Sequence, residues 1–254
     1  MVIAKQKGKR LSLEERLDET KRPETEEKVQ AFFSSVAKRY DIANSLMSFG
    51  THYGWKRKAV AEVDPQPGDQ CVDVCTGTND VAIMLAKKVG PKGHVTGIDW
   101  NQDMLDAGQY KIDKFGLSDR ITNKRGDAED LPLQDNTFDR ATVAVASRHL
   151  NIDKHFQEMY RVLKPGGRAV CLDFFQPPNP AFRRLYDIYS YAMMPRIAVL
   201  VTRDKTGVYD YLPDSIRVYY EPEAFAKEMK DAGFKNVKYY PISWGICYIF
   251  AGDK

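Results

Sequence analysis

The feature that most constrains the fold is a regular alternation of strand and helix signals between residues 70 and 174. Short apolar, β-branched runs predict strands at Gln70–Thr76, Gly93–Asp99, Ile121–Gly126, Phe138–Ala146 and Arg168–Phe174. Helical periodicity predicts helices between them at Asp80–Val89, Gln102–Phe115 and Asp153–Leu163. Alternation at this pitch favours a parallel sheet with helices on both faces.

The C-terminal segment adds a different connection. A helix is predicted at Pro222–Ala232, followed by two apolar runs, Val237–Ile242 and Gly245–Ala251, with only a short turn between them. Two consecutive strands joined in this way form a hairpin, so one terminal strand must run antiparallel. We therefore predict an α/β fold, a Rossmann-like doubly wound sheet that is mostly parallel with one antiparallel terminal strand.

Three segments lie outside the alternation. Residues 1–27 are dominated by charged residues and threonine, which predicts a flexible charged leader. Residues 28–63 show helical spacing and end at the breaker Asp64-Pro-Gln-Pro-Gly68, which predicts N-terminal helices. Residues 176–220 are rich in Tyr, Pro and Met and predict a helical lid insert, with one basic and aromatic helix at Phe182–Met194. Residues 28–254 are thus expected to form a single domain.

Composition excludes several classes of protein. With 254 residues, 43% of them hydrophobic, the chain can bury a sizeable core, and its net charge of +3 gives no reason to expect nucleic acid as a partner. The four cysteines form no C-x-x-C pair and the histidines no cluster with them, so we expect no metal site. His94 and His155 are expected at the surface. No apolar run approaches the roughly 20 residues of a membrane span. We expect a cytoplasmic protein that can associate peripherally with the inner face of the membrane.

A glycine-containing turn, Val72-Asp-Val-Cys-Thr-Gly-Thr-Asn-Asp80, follows the first predicted strand. Such a turn places a ligand at the carboxyl edge of the sheet, against the N–H groups of a helix N-terminus. Gly77 stands alone, without the dinucleotide fingerprint G-x-G-x-x-G or the phosphate-binding G-x-x-x-x-G-K-[ST]. The turn therefore favours a ligand without a phosphate chain, although a lone glycine also suits an ordinary turn.

Acidic residues follow the first three strands in turn. Asp73 closes the first strand, Asp99 lies 22 positions beyond Gly77 (99 − 77 = 22), and Asp127 follows the third strand. The spacing of Asp99 is that of a carboxylate that binds ribose hydroxyls, and Asp127 is in position to face an adenine. Each acid alone would also suit a cap or a solvated turn. Together, their order predicts a site for one adenosine.

Over residues 28–254 the sequence resembles the ubiquinone/menaquinone biosynthesis C-methyltransferases, a family of class I S-adenosylmethionine-dependent methyltransferases. The most specific matching phrases are Arg39-Tyr-Asp41 and the Tyr-rich segment 186–216; Asp127-Ala-Glu129 and Tyr160-Arg-Val-Leu-Lys-Pro-Gly-Gly167 match more generally. The resemblance implies S-adenosyl-L-methionine as cofactor. It places the cofactor-binding positions at Asp73, Gly77, Thr78, Asp99, Trp100, Asp127, Ala128 and Ala144.

Three positions depart from the family pattern. Asn79 stands where the family has a second loop glycine, and asparagine tolerates a left-handed backbone better than most residues. Ala144 stands where a serine is often found, and His149 follows Arg148 where the family has asparagine. The cofactor expectation is unaffected by these changes, whereas the identity of the ring substrate depends on them.

The resemblance implies C-methylation of a reduced prenylated quinone, with demethylmenaquinol converted to menaquinol as the first choice. A ubiquinol precursor or another phenolic small molecule is the alternative, and a non-catalytic cofactor-binding scaffold is a third interpretation. Loss of a hydroxyl proton makes a neighbouring ring carbon nucleophilic, so the quinol rather than the quinone is the expected substrate.

Arg148, His149 and Tyr40 are the candidate catalytic residues. Arg148 stays protonated and is expected to stabilise the forming phenolate. His149 is a candidate base, or else a histidine bonded to backbone at a helix start. Tyr40 is expected to close over the site, or else to be a packed tyrosine at an ordinary helix end. The predicted lid would offer an apolar opening to a prenyl tail.

Overall fold

The computed structural model describes residues 30–31, 33–202, 213, 215–217 and 219–254. The predicted leader, residues 1–27, lies outside the described residues, as do positions 203–212 of the predicted insert. Within the described part of the chain, one sheet contains β1 (Gln70–Val74), β2 (His94–Asp99), β3 (Ile121–Arg125), β4 (Phe138–Ala144), β5 (Leu163–Phe174), β6 (Lys235–Ile242) and β7 (Cys247–Asp253).

The strand order is β3-β2-β1-β4-β5-β7-β6. All neighbouring pairs from β3 to β5 are parallel, and β7 is antiparallel to both β5 and β6. The predicted mostly parallel sheet with one antiparallel terminal strand is therefore confirmed. β5 begins earlier than predicted, because Leu163 already pairs with Phe138 before a bulge in the register.

Helices cover both faces of the sheet. In the described part of the chain they include α1 (Tyr40–Met47), α2 (Thr51–Val63), α3 (Asp80–Val89), α4 (Gln102–Lys114), α5 (Ile152–Val162), α6 (Pro180–Ile188), α7 (Met194–Thr202) and α8 (Pro222–Asp231), with a π-helical turn at Tyr189–Met193 between α6 and α7. None of the described helices combines the length and the apolar character needed to cross a bilayer.

Two buried cores flank the sheet. Phe156 and Phe250 belong to the core under α5 and α8, whereas Leu85 and Ile249 belong to the core under α2 and α3. Ile249 and Phe250 are neighbours in β7, and they face opposite sides because successive side chains alternate along a strand. Both faces of the central strands are therefore shielded from water.

One surface prediction is wrong. His155 is fully buried, and its Nδ1 lies 3.4 Å from the carbonyl oxygen of Ala128. It lies one turn before Met159 on the face of α5 that packs on the sheet. His94 is half-buried, with Nε2 3.0 Å from the Thr122 hydroxyl. Sequence position alone did not reveal which face of α5 is covered.

Strand order positions the site. β1 lies between β2, which leads toward one edge, and β4, which leads toward the other. The connections leaving β1 and β4 therefore diverge and open a crevice beyond the carboxyl ends of these strands. α1 packs against α7 above this crevice, through Ala43, Met47, Met194 and Ala198.

Candidate cofactor and substrate site

The loop between β1 and α3 is held in an unusual backbone conformation. Cys75, Gly77 and Asn79 have φ of +54°, +54° and +63°. The Gly77 N–H donates to Oδ2 of Asp99 at 2.8 Å, and a Cβ at Gly77 would lie 3.2 Å from the Met104 methyl. This hydrogen bond joins the loop directly to the C-terminal end of β2. Gly77 and Asp99, which were predicted at neighbouring strand ends, are therefore close together in the structure.

The Asp99 carboxylate is fixed on its other side as well. Oδ1 accepts the Asn101 N–H at 2.9 Å, and the Asn101 side chain accepts the Met104 N–H at 3.0 Å to cap α4. Burial raises the pKa of the Asp99 carboxyl, and the backbone N–H donors oppose that effect. A carboxylate held in this way has lone pairs left for the hydroxyl groups of a ligand.

Asp73 is buried at the end of β1. Its two oxygens accept the hydroxyl protons of Thr76 and Thr142, each at 2.7 Å. Burial raises the pKa of this carboxyl to about 6, even though both hydroxyl groups act to lower it. Asp73 also lines the cavity described below, so it is the buried acid of β1 that a ligand can reach.

The residues predicted to face the adenine do not line the cavity described below. Asp127 Oδ1 accepts the Glu129 N–H at 2.9 Å and so shapes the turn after β3, next to the buried Ala128. Trp100 is 43% exposed. Asp99, Trp100, Asp127 and Ala128 are not among the residues that line the cavity. Their cofactor role stays a prediction.

A cavity of about 470 Å³ opens beside the loop. Seven of the predicted site residues line it: Tyr40, Asp73, Gly77, Thr78, Ala144, Arg148 and His149. Aromatic side chains form much of the remaining wall, namely Phe33, Phe49, Trp55, Phe174, Phe182, Tyr186 and Tyr189. The cavity is thus polar at the glycine loop and aromatic toward α1 and α6.

Arg148 is held by an acid that sequence reasoning missed. Its Nη1 donates to Oδ1 of Asp173 and to the carbonyl oxygen of Val145, both at 2.9 Å, and its side chain is only 4% exposed. The guanidinium lies 5.6 Å from the centre of the Phe174 ring. The available signal was an aspartate inside the apolar run Cys171-Leu-Asp-Phe-Phe175. This pair fixes a buried cation in the cavity wall.

Two imidazoles face the same cavity in the neutral form. Burial, together with Arg148, holds the pKa of His149 well below its usual range. Burial lowers the pKa of His52 to about 4, and the neighbouring Lys56 acts in the same direction. Both side chains are therefore uncharged at neutral pH.

The tautomer of His52 follows from its neighbours. The Ser48 hydroxyl donates its proton to the Asn44 carbonyl oxygen at 2.6 Å, so Nδ1 of His52, 2.7 Å from the same hydroxyl, must be the donor in that contact. Nε2 is then a bare lone pair, and it has no hydrogen-bond partner in the described part of the chain. Sequence reasoning did not single out His52.

An ionic cluster ties α1 to the glycine loop. Asp41 accepts the Thr78 hydroxyl at 2.6 Å and the Lys111 ammonium at 2.7 Å. Lys111 also pairs with Asp80, which in turn pairs with Lys56 at 2.7 Å. α1 therefore forms one wall of the cavity, and these contacts attach it to the loop between β1 and α3.

These features fit S-adenosylmethionine. Gly77 has a left-handed backbone, and a Cβ there would crowd the Met104 methyl at 3.2 Å; a carboxylate lies at each of the first two strand ends. Two buried polar atoms that have no partner among the described residues, Nε2 of His52 and Nε of Arg148, belong to cavity-lining residues. No group of three or more metal-binding side chains occurs in the described ranges. A doubly wound sheet with such a site defines a class I S-adenosylmethionine-dependent methyltransferase.

Sequence comparison identifies the family. The model of the ubiE/COQ5 methyltransferase family matches residues 21–254, so the chain belongs to that family, and it is an S-adenosylmethionine-dependent methyltransferase. It is 38% identical over 228 residues to "Ubiquinone/menaquinone biosynthesis C-methyltransferase UbiE" of Roseobacter denitrificans, covering 89% of this chain and 90% of that one. It is 41% identical over 229 residues to the protein of that name from Brucella abortus strain S19, covering 89% and 85%.

Solved structures agree in fold. A methyltransferase from Aquifex aeolicus superimposes with a TM-score of 0.57 at 22% identity, covering 78% of this chain and 88% of that one. The structure titled "Crystal structure of a putative s-adenosyl-l-methionine-dependent methyltransferase" from Methanococcus maripaludis gives a TM-score of 0.60 at 19% identity, covering 86% of this chain and 91% of that one. At these identities the likeness establishes the fold alone.

Proposed function

We propose that this enzyme methylates a ring carbon of a reduced, prenylated quinone, and that demethylmenaquinol is its substrate and menaquinol its product. The observation that carries the proposal is the aromatic cavity beside the glycine loop, with the buried Arg148 in its wall. The names of the UbiE relatives, which include both ubiquinone and menaquinone, support the class of substrate.

The residues at the strand ends would hold the cofactor. Gly77 and Asp99 would bind its ribose, with Asp127, Ala128 and Trp100 on the adenine side. Asp73, a buried acid in the cavity wall, would face the positively charged methionine end, next to Thr78. When bound, S-adenosylmethionine supplies a methyl group on a cationic sulfur.

Side chains in the cavity wall would act directly on the acceptor ring. The apolar and aromatic wall excludes water, which strengthens the electrostatic effect of any fixed charge. Arg148 is locked by Asp173 and would stabilise negative charge that develops on a ring hydroxyl oxygen. His149, neutral at working pH, would accept a hydrogen bond from that hydroxyl and orient it. Burial and Arg148 both oppose a lasting imidazolium, so this role suits His149 better than that of a base; the one proton released overall, from the methylated ring carbon, would pass to bulk water.

The prenyl tail would leave the cavity between α1 and α6. Phe49 and Leu185 line the cavity and are also 76% and 65% exposed, so the apolar wall continues to the surface. Ile42, Leu46 and Ile188 extend the exposed apolar area on the same helices. This arrangement supports our proposal of transient contact with a membrane surface, because an apolar tail and an apolar rim would otherwise both face water.

The test is transfer of a labelled methyl group to ring analogues. Reduced demethylmenaquinone with a short prenyl chain should be methylated on carbon, and the oxidised form should be inert. Activity on a monocyclic ubiquinol precursor alone would replace the substrate. Methylation of an unrelated phenol with quinols inert would favour the alternative that Ala144 and His149 suggest. Binding of S-adenosylhomocysteine without any transfer would indicate a scaffold.

A further inference from the structure

Asn79 occupies the loop position at which the family resemblance leads to the expectation of a glycine, and the fold is adapted to the asparagine. Its φ is +63° and its side chain is fully buried. Its Nδ2 donates to Oδ1 of Asn123 at 2.8 Å, and Nδ2 of Asn123 donates back to Oδ1 of Asn79 at 3.0 Å. The two amides form a closed, reciprocal pair beneath the loop.

Two glycines make the space for this pair. A Cβ at Gly108 would lie 1.9 Å from Oδ1 of Asn79. A Cβ at Gly97 would lie 2.7 Å from Oδ1 of Asn123 and 2.9 Å from Nδ2 of Asn79. Real Cβ atoms do not approach so closely, so both positions must lack a side chain for the amide pair to exist. α4 and β2 are thus shaped around Asn79.

A backbone carbonyl group determines how the two side-chain amides of this pair are oriented. Nδ2 of Asn123 is 3.5 Å from the carbonyl oxygen of Leu105, which only accepts, and this contact orients the Asn123 amide. The reciprocal pair then orients Asn79, whose Nδ2 also donates to Oγ1 of Thr76 at 3.0 Å. Since the Thr76 oxygen accepts there, its single proton is directed to Oδ2 of Asp73, 2.7 Å away.

We propose that Asn79 is a positioning residue for the methyl donor: through Thr76 it keeps a hydroxyl proton aimed at Asp73 and thereby keeps that carboxylate ionised in the cavity wall. The inference rests on the proposed placement of the donor's cationic end at Asp73. A glycine at position 79 would leave the Thr76 hydroxyl free to rotate away.

The pKa of Asp73 is close enough to neutral pH that a change in its ionisation would alter ligand binding measurably. Burial raises the pKa of Asp73 to about 6, and the bond from Thr76 opposes that rise. Loss of this bond would raise the pKa further, toward the pH at which binding is measured. The affinity for a cationic ligand should then fall in slightly acidic solution and recover at higher pH.

The experiment is calorimetric titration of the whole protein with S-adenosylhomocysteine, which keeps the donor's ammonium group, between pH 5.5 and 8.5. Asn79→Gly and Thr76→Val should bind about 2.5- to 8-fold more weakly than wild type at pH 5.5, about 1.5- to 3-fold more weakly at pH 6.5, and converge with it at pH 8.5, as expected if the carboxyl pKa rises by about half a unit to one unit from about 6. The double variant should match Thr76→Val alone, because Asn79 acts on Asp73 only through the Thr76 hydroxyl, which that variant already lacks.

Two variants serve as matched controls. Thr76→Ser keeps the hydroxyl, and Asn136→Gly makes the same replacement at an exposed asparagine with φ of +51°. Both should follow the wild-type pH curve. Thermal unfolding would establish that each variant is folded, and Thr76→Val carries the test if Asn79→Gly does not fold.

Equal weakening of Asn79→Gly at every pH, or no weakening at any pH, would overturn the inference and leave Asn79 with a packing role only. A wild-type protein that binds no S-adenosylhomocysteine would instead refute the proposed cofactor placement, so the two failures are distinguishable.

Discussion

Replacing Asp73 by asparagine should stabilise the protein and damage its cofactor site. Burial raises the pKa of the Asp73 carboxyl from 3.8 to about 6, a difference of about 2 units. At about 1.4 kcal/mol per unit, keeping this carboxylate charged inside the fold costs about 3 kcal/mol at neutral pH. Asparagine has nearly the same shape and no charge, so Asp73→Asn removes that cost.

The two hydrogen bonds to threonine side chains can be kept. The asparagine oxygen can accept from Thr76, while its amide donates to Oγ1 of Thr142. Thr142 can then direct its own proton to the Val72 carbonyl oxygen, 3.5 Å away. We therefore expect an increase of about 2–3 kcal/mol in the free energy of unfolding at pH 7, or roughly 5–10 °C in Tm for a chain of this size.

The pH dependence gives the sign of the effect. Since the folded-state pKa of Asp73 lies above its unfolded value, folding takes up a proton between about pH 4 and pH 6, and the stabilisation this gives the wild type is present below pH 4 and lost as the pH rises through 6. The advantage of Asp73→Asn should thus be close to zero below pH 4, about half developed at pH 5 and complete above pH 6.

Urea unfolding followed by circular dichroism between pH 4 and pH 8 measures this difference. Asp103→Asn, at an exposed acid in the first turn of α4, is the matched control and should change stability by less than about 0.5 kcal/mol. A variant at position 73 that is less stable than wild type at pH 7, or whose advantage does not vary with pH, would refute the reasoning.

Four further outcomes are expected. Asp99→Ala should weaken S-adenosylhomocysteine binding by about 1–3 kcal/mol in calorimetry, since a charged acceptor is lost; an unchanged Kd would show that the ribose is misplaced. Arg148→Lys should lower kcat more than cofactor affinity in the labelled-methyl assay, because lysine cannot hold the same bonds and positions its charge differently, and the reverse pattern would contradict its role. His149→Asn, which can still accept a hydrogen bond, should keep kcat within about 10-fold, whereas His149→Leu should lose about 100-fold; equal losses would make His149 a proton acceptor. Asp41→Asn should speed amide hydrogen exchange in α1, as the bonds to Thr78 and Lys111 weaken, and unchanged exchange would show that this contact does not hold the helix.

Part of the candidate site was accessible from the sequence for a topological reason. The carboxyl ends of parallel strands share one edge of the sheet, so Gly77 and Asp99 could be placed together from chain order alone. Their 2.8 Å hydrogen bond agrees with that prediction. Trp100 was expected at the cofactor because of the family resemblance, and neither Trp100 nor Asp99 is among the residues that line the cavity.

Other site residues depended on contacts between distant segments. Asp173 is adjacent to Arg148 only because β4 and β5 pair in the sheet. Asp41 reaches Thr78 because α1 packs over the loop, 37 positions away in the chain. Asp41 stands in the matching phrase Arg39-Tyr-Asp41 and Asp173 inside an apolar run, but neither local signal tells which distant side chain the acid contacts.

The sequence by itself determined the alternating elements and the order of strand-end residues, because side-chain periodicity, turn residues and chain direction are local properties. Only the tertiary structure decided which side chains share the cavity, which of them lose their charge on burial, and that Asn79 has two glycines arranged around it. Those outcomes depend on distances between elements and on the exclusion of water, and both arise only when the helices pack on the sheet.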